Sequence, residues 1–374
     1  MHFVSLCFLG CLTSFRFDYW GSLTISPCPH FGTCGGCTLQ DLPPDAYRAK
    51  KREAVVTALK RAGVEAQVEE PVIVPPRSRR RAVFKIKSLA EGLHIGFHAA
   101  KSHTVIDMHH CDVLTPGLFA LVGGLRQKLE PLFGVGEAAE LHVTETDTGF
   151  DCALRWRAAL TPTLTAALSS ALTGLGIARL TMGRETVFET AQPAVSLGGI
   201  KVTLPPNPFL QSTAEGEAAL QAHVLETVGK AKAAADLFAG VGTFALPLAR
   251  KARVHAVEQE ASALAALAAA AKAPALKPVT TETRDLFKLP LTPVELAGYD
   301  AVVLDPPRAG AQAQVQALAR SKVPVIAYVS CDAASFARDA AILVAGGYRI
   351  GPVTPIDQFL WSSHIELAAG FRRG

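Results

Sequence analysis

The sequence predicts an α/β fold, with a parallel sheet in the C-terminal half and a separate α+β domain before it. In the last third of the chain, short apolar runs rich in β-branched residues alternate with alanine-rich helical runs. This alternation is typical of strands and crossover helices in a parallel sheet. Between about 71 and 205, several short strand-like segments accompany one helix near 164–175, as in an α+β domain. The proline-rich segment 205–208 predicts the boundary, so we expect domains at 27–205 and 206–374.

Three strand and helix pairs make up the clearest part of the C-terminal pattern. The predicted strands are 254–258, 300–307 and 323–331, and the predicted helices that follow them are 260–272, 309–321 and 333–346. The carboxyl ends of parallel strands meet at one edge of a sheet, where α/β proteins bind ligands. Polar residues that directly follow these strands are therefore the candidates for a functional site.

The length and composition fit a folded protein of two or three units. The chain has 374 residues, of which 49% are hydrophobic and 19% charged, a balance that disordered chains do not show. Residues 1–26 are expected to form a short N-terminal segment. Its apolar stretch, 3–15, is short for a membrane span and lacks the basic leader and cleavage site of a signal peptide. We expect no contact with a membrane and, by default, a monomer without an obligate protein partner.

Positive charge is concentrated in one segment. Residues 48–101 contain thirteen Lys or Arg against five Glu, although the whole chain has a formal net charge of only +4. A local excess of this size is the pattern expected of a protein that neutralises nucleic-acid phosphates. The alternative is a solvated helix face followed by a basic loop.

Cysteines supply the first candidate site. Cys28, Cys34 and Cys37 stand in the run CPHFGTCGGC, whose glycines allow the backbone to wrap a compact inorganic centre. Cys111 is the best candidate for a fourth ligand, because Cys7, Cys11 and Cys152 lie in ordinary apolar or strand-like contexts. Four thiolates suit either a tetrahedral zinc ion or a [4Fe-4S] cluster. The alternative for these clustered cysteines is a set of free core thiols. The irregular spacing of all eight cysteines indicates a reducing compartment, the cytoplasm.

A glycine-rich turn predicts a cofactor site. The run AADLFAGVGTFALPLA reads as a strand ending near Asp236, a turn through Gly240 and Gly242, and a helix. Glu258 ends the next strand, where a carboxylate can accept hydrogen bonds from both hydroxyls of a ribose. Asp305, before two prolines, stands at a further strand end. Together these residues predict a site for a cofactor that contains adenosine.

Asp285 belongs to the same set of candidates but has an equally good structural explanation. It stands in the turn RDLF, where an Asp can also serve as the N-cap of a helix.

Cys331 is the candidate nucleophile. It ends the apolar strand VIAYVS directly before a predicted helix, so we expect it to face the ligand crevice. A helix N-terminus favours the thiolate, which predicts a lowered pKa for Cys331. A buried, inert thiol is the alternative. Glu366, in the near-terminal run HIEL, is by spacing alone no better than an exposed strand carboxylate.

In this order, the elements resemble the bacterial RNA 5-methyluridine methyltransferases, specifically the iron-sulfur branch that acts on 23S ribosomal RNA. The resemblance covers about 27–374 and is carried by CPHFGTCGGC, the isolated Cys111, PFLQST, DLFAGVGTF, VEQE, LDPPRAG, YVSCDAASFARD and HIEL. It implies a Rossmann-like S-adenosylmethionine methyltransferase domain, preceded by an α+β domain that carries a four-cysteine cluster and binds RNA.

The resemblance also implies roles for single residues. It implies that a [4Fe-4S] cluster is held by Cys28, Cys34, Cys37 and Cys111. It implies that the S-adenosylmethionine site is lined by Gln211, Phe238, Thr243, Glu258, Asp285 and Asp305. Cys331 is then the nucleophile that adds to C6 of uracil, and Glu366 is the base that removes the C5 proton.

The chain departs from the family pattern in three places. The family usually begins with a small β-barrel of the TRAM type, which residues 1–26 are too short to form, so we expect that module to be missing or truncated. Thr213 and Thr243 stand where relatives commonly carry Asn, and Asp285 lies in a loosely matching loop. The missing module predicts weaker or differently placed RNA binding. The other two departures predict altered polar contacts to the cofactor.

Four other functions are compatible with some of the same residues. An amino-methyltransferase needs an aromatic residue after Asp-Pro-Pro, where this chain has Arg308, and a cytosine-C5 enzyme commonly carries a second cysteine beside that motif, which 305–310 lacks. A transfer RNA uracil-C5 methyltransferase differs only in substrate. A non-catalytic RNA-binding iron-sulfur protein would not need Cys331.

Overall fold

The computed structural model describes residues 28–374. The predicted N-terminal segment 1–26, with Cys7 and Cys11, lies outside the described residues. Within residues 28–374, no helix has both the length and the apolar composition that crossing a bilayer requires.

The described residues form alternating helices and strands. The α-helices are α1 (Pro44–Arg61), α2 (Pro116–Leu129), α3 (Pro162–Leu172), α4 (Ala214–Val228), α5 (Ala245–Ala249), α6 (Ala261–Ala270), α7 (Pro293–Leu296), α8 (Gln312–Ala319) and α9 (Ala333–Ala345). The strands are β1 (Val72–Ile73), β2 (Arg81–Leu89), β3 (Gly92–His98), β4 (Val105–Asp107), β5 (Ala138–Thr146), β6 (Gly149–Trp156), β7 (Ile177–Met182), β8 (Glu185–Glu189), β9 (Ala194–Leu197), β10 (Ile200–Thr203), β11 (Ala233–Leu237), β12 (Arg253–Glu258), β13 (Val279–Thr283), β14 (Ala301–Leu304), β15 (Val325–Ser330), β16 (Tyr348–Asp357) and β17 (Glu366–Arg373).

The C-terminal part confirms the predicted parallel α/β sheet. Eight strands lie in the order β1-β16-β17-β15-β14-β11-β12-β13. The central strands pair in parallel, whereas β17 is antiparallel to both of its neighbours. β14 is buried along its whole length, as expected for a strand covered by helices on both faces. The carboxyl ends of β11, β12, β14 and β15 therefore meet along one edge, which carries the site described below.

The preceding part is an α+β unit around a seven-stranded sheet. Its strand order is β4-β3-β2-β5-β6-β7-β8, and α2 and α3 pack on it. The core contains Phe84, Leu118, Leu141 and Leu168, each at most 2% exposed. Alternating burial along β2 shows that only one face of this sheet is fully covered.

Two segments from before residue 205 pack on the C-terminal sheet rather than on the α+β unit. Helix α1 contacts α9 and β16, and β1 pairs in parallel with β16. The β9–β10 hairpin buries Val195, Leu197 and Val202 against Val241 and Leu246, which flank the glycine-rich turn. The boundaries at 27–205 and 206–374 stay predictions. In the structure, the chain passes between the two units more than once.

A buried ion pair anchors α1 to the sheet. Lys51 Nζ lies 2.8 Å from Asp357 Oδ1, and both side chains are at most 2% exposed. Tyr47 donates its hydroxyl hydrogen bond to the second oxygen of Asp357 and accepts one from the Trp361 amide at 2.7 Å. The Lys51 ammonium also donates to the His364 carbonyl. These contacts fix residues 358–365, hereafter the 358–365 loop, which leads into Glu366.

Replacing Lys51 with methionine is expected to lower the free energy of unfolding by about 3–5 kcal/mol, because it leaves a buried carboxylate without its cation. Urea unfolding followed by circular dichroism measures the change. Lys50→Met is the control, since Lys50 is exposed on the same helix and its replacement should shift stability by no more than about 0.5 kcal/mol. Equal unfolding midpoints for the two variants would show that the pair adds no stability.

Candidate active site

A cavity of about 400 Å³ opens at the carboxyl edge of the C-terminal sheet. Seven of the eight residues predicted for cofactor and catalysis line it, namely Gln211, Phe238, Thr243, Glu258, Asp305, Cys331 and Glu366. They come from the loop before α4, from the ends of β11, β12, β14 and β15, and from the start of β17. The topology thus brings together residues that are up to 155 positions apart in the sequence.

Glu258 is held rigidly at the end of β12. Its Oε2 accepts a hydrogen bond from the Gly240 amide at 2.9 Å, and its Oε1 accepts from the amides of Gln259 at 2.7 Å and Glu260 at 2.9 Å. Gly240 can make this contact because its φ of +54° opens the turn toward Glu258. These contacts use three of the four lone-pair positions of the carboxylate and leave one, on Oε2, for a hydroxyl of a ligand.

Asp285 is the predicted site residue that the cavity lining does not include. Its neighbours Arg284, Leu286 and Phe287 line the cavity, whereas Asp285 accepts from the Phe287 amide at 3.0 Å and pairs with Lys288 at 3.0 Å. No described helix begins there, so the carboxylate caps a turn and not a helix.

A chain of amides and a carboxyl orders one wall of the cavity. Gln211 Nε2 donates to Asp305 Oδ2 at 3.2 Å, and Gln358 Nε2 donates to Gln211 Oε1 at 2.6 Å. The Ser212 amide donates to Gln358 Oε1 at 3.0 Å. Gln211 and Gln358 are at most 2% exposed. Each amide group is thereby fixed in orientation.

Burial sets the acidity of the two carboxyls in this wall. Burial raises the pKa of Asp305 to about 7, against the effect of the Gln211 hydrogen bond. Burial, with the charge of Asp305 added, raises the pKa of Glu366 to about 8. A carboxylate with a raised pKa is a stronger base, so Glu366 suits proton removal near neutral pH.

Cys331 faces the cavity as predicted, but the prediction of a lowered pKa is wrong. Burial, the charges of Glu366 and Asp305, and a smaller effect of Asp332 raise the pKa of its thiol to about 11. Helix α9 does begin two residues later, at Ala333. Its first amides are already satisfied, because Asp332 Oδ1 accepts from the amides at positions 334 and 335, at 3.1 and 2.9 Å.

The raised pKa predicts slow alkylation of Cys331 in the free protein at neutral pH. Only the thiolate reacts, so the rate with iodoacetamide should rise about tenfold per pH unit from 7 to 10 without a plateau. Mass spectrometry of the peptide that contains Cys331 follows this thiol separately from the others. A plateau below pH 8 would show that the thiolate already predominates in the free protein.

The four cysteines predicted as metal ligands line a second, larger cavity of about 800 Å³. Burial and the proximity of Cys111, Cys34 and Cys28 raise the pKa of the Cys37 thiol to about 12. The positive charge of the Arg79 guanidinium partly offsets this rise by lowering the pKa of Cys37. Within residues 28–374, no group of three or more His, Cys, Asp or Glu side chains is arranged to hold a single metal ion.

Residues 28–40, hereafter the cysteine loop, lie between the larger cavity and a groove that Cys331 also lines. Gly35 donates its amide to the His98 carbonyl at 2.9 Å, and a Cβ added at Gly35 would lie 2.9 Å from that oxygen. The amides at 38 and 39 donate to the Trp361 carbonyl at 2.8 and 2.9 Å. The cysteine loop thus lies between β3 and the 358–365 loop. Its glycines at 35 and 36 line a groove that Cys331 also lines.

The basic segment 48–101 is partly neutralised within the fold. Five of its thirteen cations form ion pairs with described carboxylates, namely Lys51, Arg52, Arg77, Arg80 and Lys85. The pair of Arg80 with Glu217, at 2.7 Å, joins the α+β unit to α4. Part of the charge read from the sequence therefore stabilises the protein.

Sequence reasoning missed Gln358, Arg284 and Phe287. Arg284 and Phe287 line the cofactor cavity beside Phe238, with the Phe238 and Phe287 rings 5.5 Å apart. The sequence pattern indicates their neighbour Asp285 as the cofactor-site candidate instead, because a carboxylate after a strand is the more familiar signal. Gln358 directly follows β16. The signal that would have pointed to it is the pair of polar residues at 357–358 after an apolar strand.

The fold and the cavity define a Rossmann-like, S-adenosylmethionine-dependent methyltransferase. The model of the tRNA (uracil-5-)-methyltransferase family matches residues 179–372. The chain belongs to this family of RNA uracil-C5 methyltransferases, which the relatives described next also support.

The relatives cover most of the chain. An uncharacterized RNA methyltransferase of Rhizobium meliloti is 45% identical over 92% of this chain and 84% of its own length. The 23S rRNA (uracil(1939)-C(5))-methyltransferase of Halomonas elongata is 33% identical over 91% of this chain and 75% of its own. The crystal structure of Pyrococcus abyssi tRNA (uracil-54, C5)-methyltransferase with S-adenosyl-L-homocysteine superposes with a TM-score of 0.70. It covers 90% of this chain and 85% of that one at 24% identity, which shows the shared fold.

Proposed function

We propose that the protein methylates C5 of a specific uridine in 23S ribosomal RNA, with S-adenosylmethionine as methyl donor and Cys331 as covalent nucleophile. The observation that carries this proposal is the shared cavity. A thiol, Cys331, and a carboxyl of raised pKa, Glu366, line the same cavity as the cofactor candidates at the end of the sheet.

The reaction needs a nucleophile because C5 of uracil does not attack an alkyl donor unaided. The Cys331 thiolate adds to C6, which places electron density on C5. S-adenosylmethionine, when bound, supplies an electrophilic methyl group that C5 takes up. Glu366 then removes the C5 proton, and the C6–Sγ bond breaks, which returns the Cys331 thiolate and releases 5-methyluridine.

The raised pKa values fit this sequence of steps. Burial is the main cause of the raised pKa of Cys331, and the negative charges of Glu366 and Asp305 add to it. Hydrogen bonding or protonation of these two carboxyls in the complex with RNA would remove their repulsion, and the thiolate would then form more easily.

The cofactor is proposed to lie between the glycine-rich turn and the loop before α4. Glu258 would accept hydrogen bonds from the ribose hydroxyls, and Phe238 and Thr243 would contact the cofactor from the cavity wall. Gln211 and Asp305 would lie on the side of the cofactor that faces the nucleophile. Asp285, implied by the resemblance, would act only through the turn that carries Phe287.

Glu258→Gln is expected to weaken S-adenosylmethionine binding by about 10- to 100-fold, because hydrogen bonds to a charged group contribute about 1.5–3 kcal/mol. Isothermal titration calorimetry measures the dissociation constant. Asp285→Asn is the comparison and should change it by less than about threefold, since Asp285 does not line the cavity. Equal losses in the two variants would contradict the placement of the cofactor.

We also propose that Cys28, Cys34, Cys37 and Cys111 hold a [4Fe-4S] cluster. Two observations support a thiolate-bound centre at this place. The four thiols line one cavity, as the family resemblance implies for a cluster. The Arg79 guanidinium beside Cys37 and Cys111 offers charge compensation for an anionic cluster. The methyl transfer requires no redox step, so the cluster's role is structural or RNA-facing.

Protein purified without oxygen should be brown and contain about four irons per chain. Cys111→Ser should lose the colour and most of the iron, whereas Cys152→Ser, which replaces a thiol buried in the core of the α+β unit, should keep both. Colourless protein with one zinc ion per chain would overturn the cluster proposal without affecting the methyl-transfer proposal.

Ribosomal RNA is preferred to transfer RNA because the four-cysteine pattern resembles the 23S branch and because the Halomonas elongata relative acts on 23S rRNA. The test uses RNA labelled with tritium at C5 of uridine, because methylation releases that tritium to water. We expect release from unmodified 23S rRNA and none from unmodified transfer RNA. The reverse result would move the substrate to transfer RNA, and no release from either would favour a non-catalytic RNA-binding protein. Because the proposed substrate is RNA, we also propose a cytoplasmic location, which the cysteines predict.

A further inference from the structure

Three cavities converge on Cys331. One is the cofactor cavity, and the other two are open grooves of about 390 and 480 Å³ that also share Arg308, Ser363 and His364. The smaller groove, hereafter the loop groove, runs between the cysteine loop and the 358–365 loop. The larger groove, hereafter the helix groove, runs between α1 and the first turns of α9.

A nucleotide inside an RNA chain has a strand on each side, and the two grooves that meet at Cys331 offer a course for both strands. Resting on the proposed function, we infer that the RNA strand crosses Cys331 from one groove to the other. Its phosphates on one side then lie in the helix groove against Arg61. The cofactor cavity is excluded as an exit because the methyl donor fills it during the reaction.

The lining of both grooves fits a polyanion. The helix groove has three arginines, Arg61, Arg308 and Arg338, and one carboxylate, Asp332, which is already paired with Arg308 at 3.3 Å. The loop groove has two arginines, several hydroxyls and the ring of Phe359, and no carboxylate among the described residues that line it. Arginines bind phosphate through charge and paired N–H groups, and an aromatic ring offers a stacking face for a base.

Among the arginines of the helix groove, Arg61 is the one best placed to bind a phosphate. It is exposed at the end of α1 and forms no ion pair with the described residues. Arg338, by contrast, pairs with the buried Asp339 at 2.7 Å and donates to the carbonyl at 309, so it holds the protein together. Ala54, Thr57 and Ala58 form the rest of the α1 side of the groove, and their small side chains leave room for a strand.

The test compares Arg61→Gln with Lys50→Gln, which removes the same charge from an exposed site about 16 Å back along α1. Binding of unmodified 23S rRNA is measured over a salt series, together with KM and kcat for methyl transfer. For Arg61→Gln we expect KM and the dissociation constant to rise severalfold, kcat to stay unchanged, and the slope of log affinity against log salt to fall by about 1. Lys50→Gln should leave all four quantities near those of the parent protein.

A second pair of variants tests the groove without removing a native contact. Ala54→Glu places a carboxylate in the helix groove, whereas Ala49→Glu places one on another face of the same helix. We expect weaker binding only for Ala54→Glu. If both members of each pair behave alike while the parent protein methylates RNA, the path through the helix groove is wrong and the proposed function stands. If the parent protein methylates no RNA, the proposed function fails, and the binding data alone then decide on the groove.

Discussion

Replacing Cys331 with alanine is expected to abolish methylation, with a loss in turnover of about 10⁴-fold or more, because the residue supplies the only covalent step that activates C5. The same change should abolish the adduct between the protein and RNA that contains 5-fluorouridine. Fluorine cannot leave C5 as a proton, so the covalent complex of the parent protein is trapped and migrates as a larger species on denaturing gels.

The control for this experiment is Cys152→Ala, which removes a thiol that is 1% exposed and lies in the α+β unit. It should keep both the adduct and the activity of the parent protein. An adduct of undiminished yield in Cys331→Ala would contradict the assignment of the nucleophile. Binding of S-adenosylmethionine by the alanine variant, measured by calorimetry, confirms that its cavity is intact.

Replacing Glu366 with glutamine is expected to slow product release by about 10²- to 10⁴-fold, the usual contribution of a general base. The nucleophile and the methyl donor remain, so the reaction should proceed through methyl transfer and then stop. A covalent complex should therefore accumulate with natural, unfluorinated RNA. Mass spectrometry of the complex should show the RNA joined to Cys331 and carrying the added methyl group.

Glu226→Gln is the matched control, because Glu226 is exposed on α4 and does not line the cavity. It should release product at the parent rate and leave no complex. If Glu366→Gln loses activity without accumulating any complex, the carboxyl acts before methyl transfer and is not the base that removes the C5 proton.

The parallel sheet and most of the cavity could be predicted because their signals are local. The apolar strands at 300–307 and 323–331 each lead into a polar or thiol side chain, and parallel strands place such ends side by side. Glu258, Asp305 and Cys331 were placed correctly on this ground alone. Glu366 required the family resemblance, because it begins an antiparallel strand, β17, and its position beside Cys331 follows from tertiary pairing with β15.

The errors have physical causes that sequence patterns do not contain. The helix after Cys331 predicts a lowered pKa, but burial and the charges of Glu366 and Asp305 raise it, and Asp332 occupies the helix amides. The attachment of α1 to the C-terminal sheet depends on Lys51 and Asp357, which are 306 residues apart. Long-range ion pairs of this kind leave no periodic signal in the sequence.

The proposed function is tested most directly by mapping 5-methyluridine by mass spectrometry in 23S ribosomal RNA and transfer RNA from cells with and without this gene. We expect one 23S position to lose its methyl group when the gene is deleted and to regain it from the parent gene but not from Cys331→Ala. Unchanged 5-methyluridine at every position in both RNAs would contradict it.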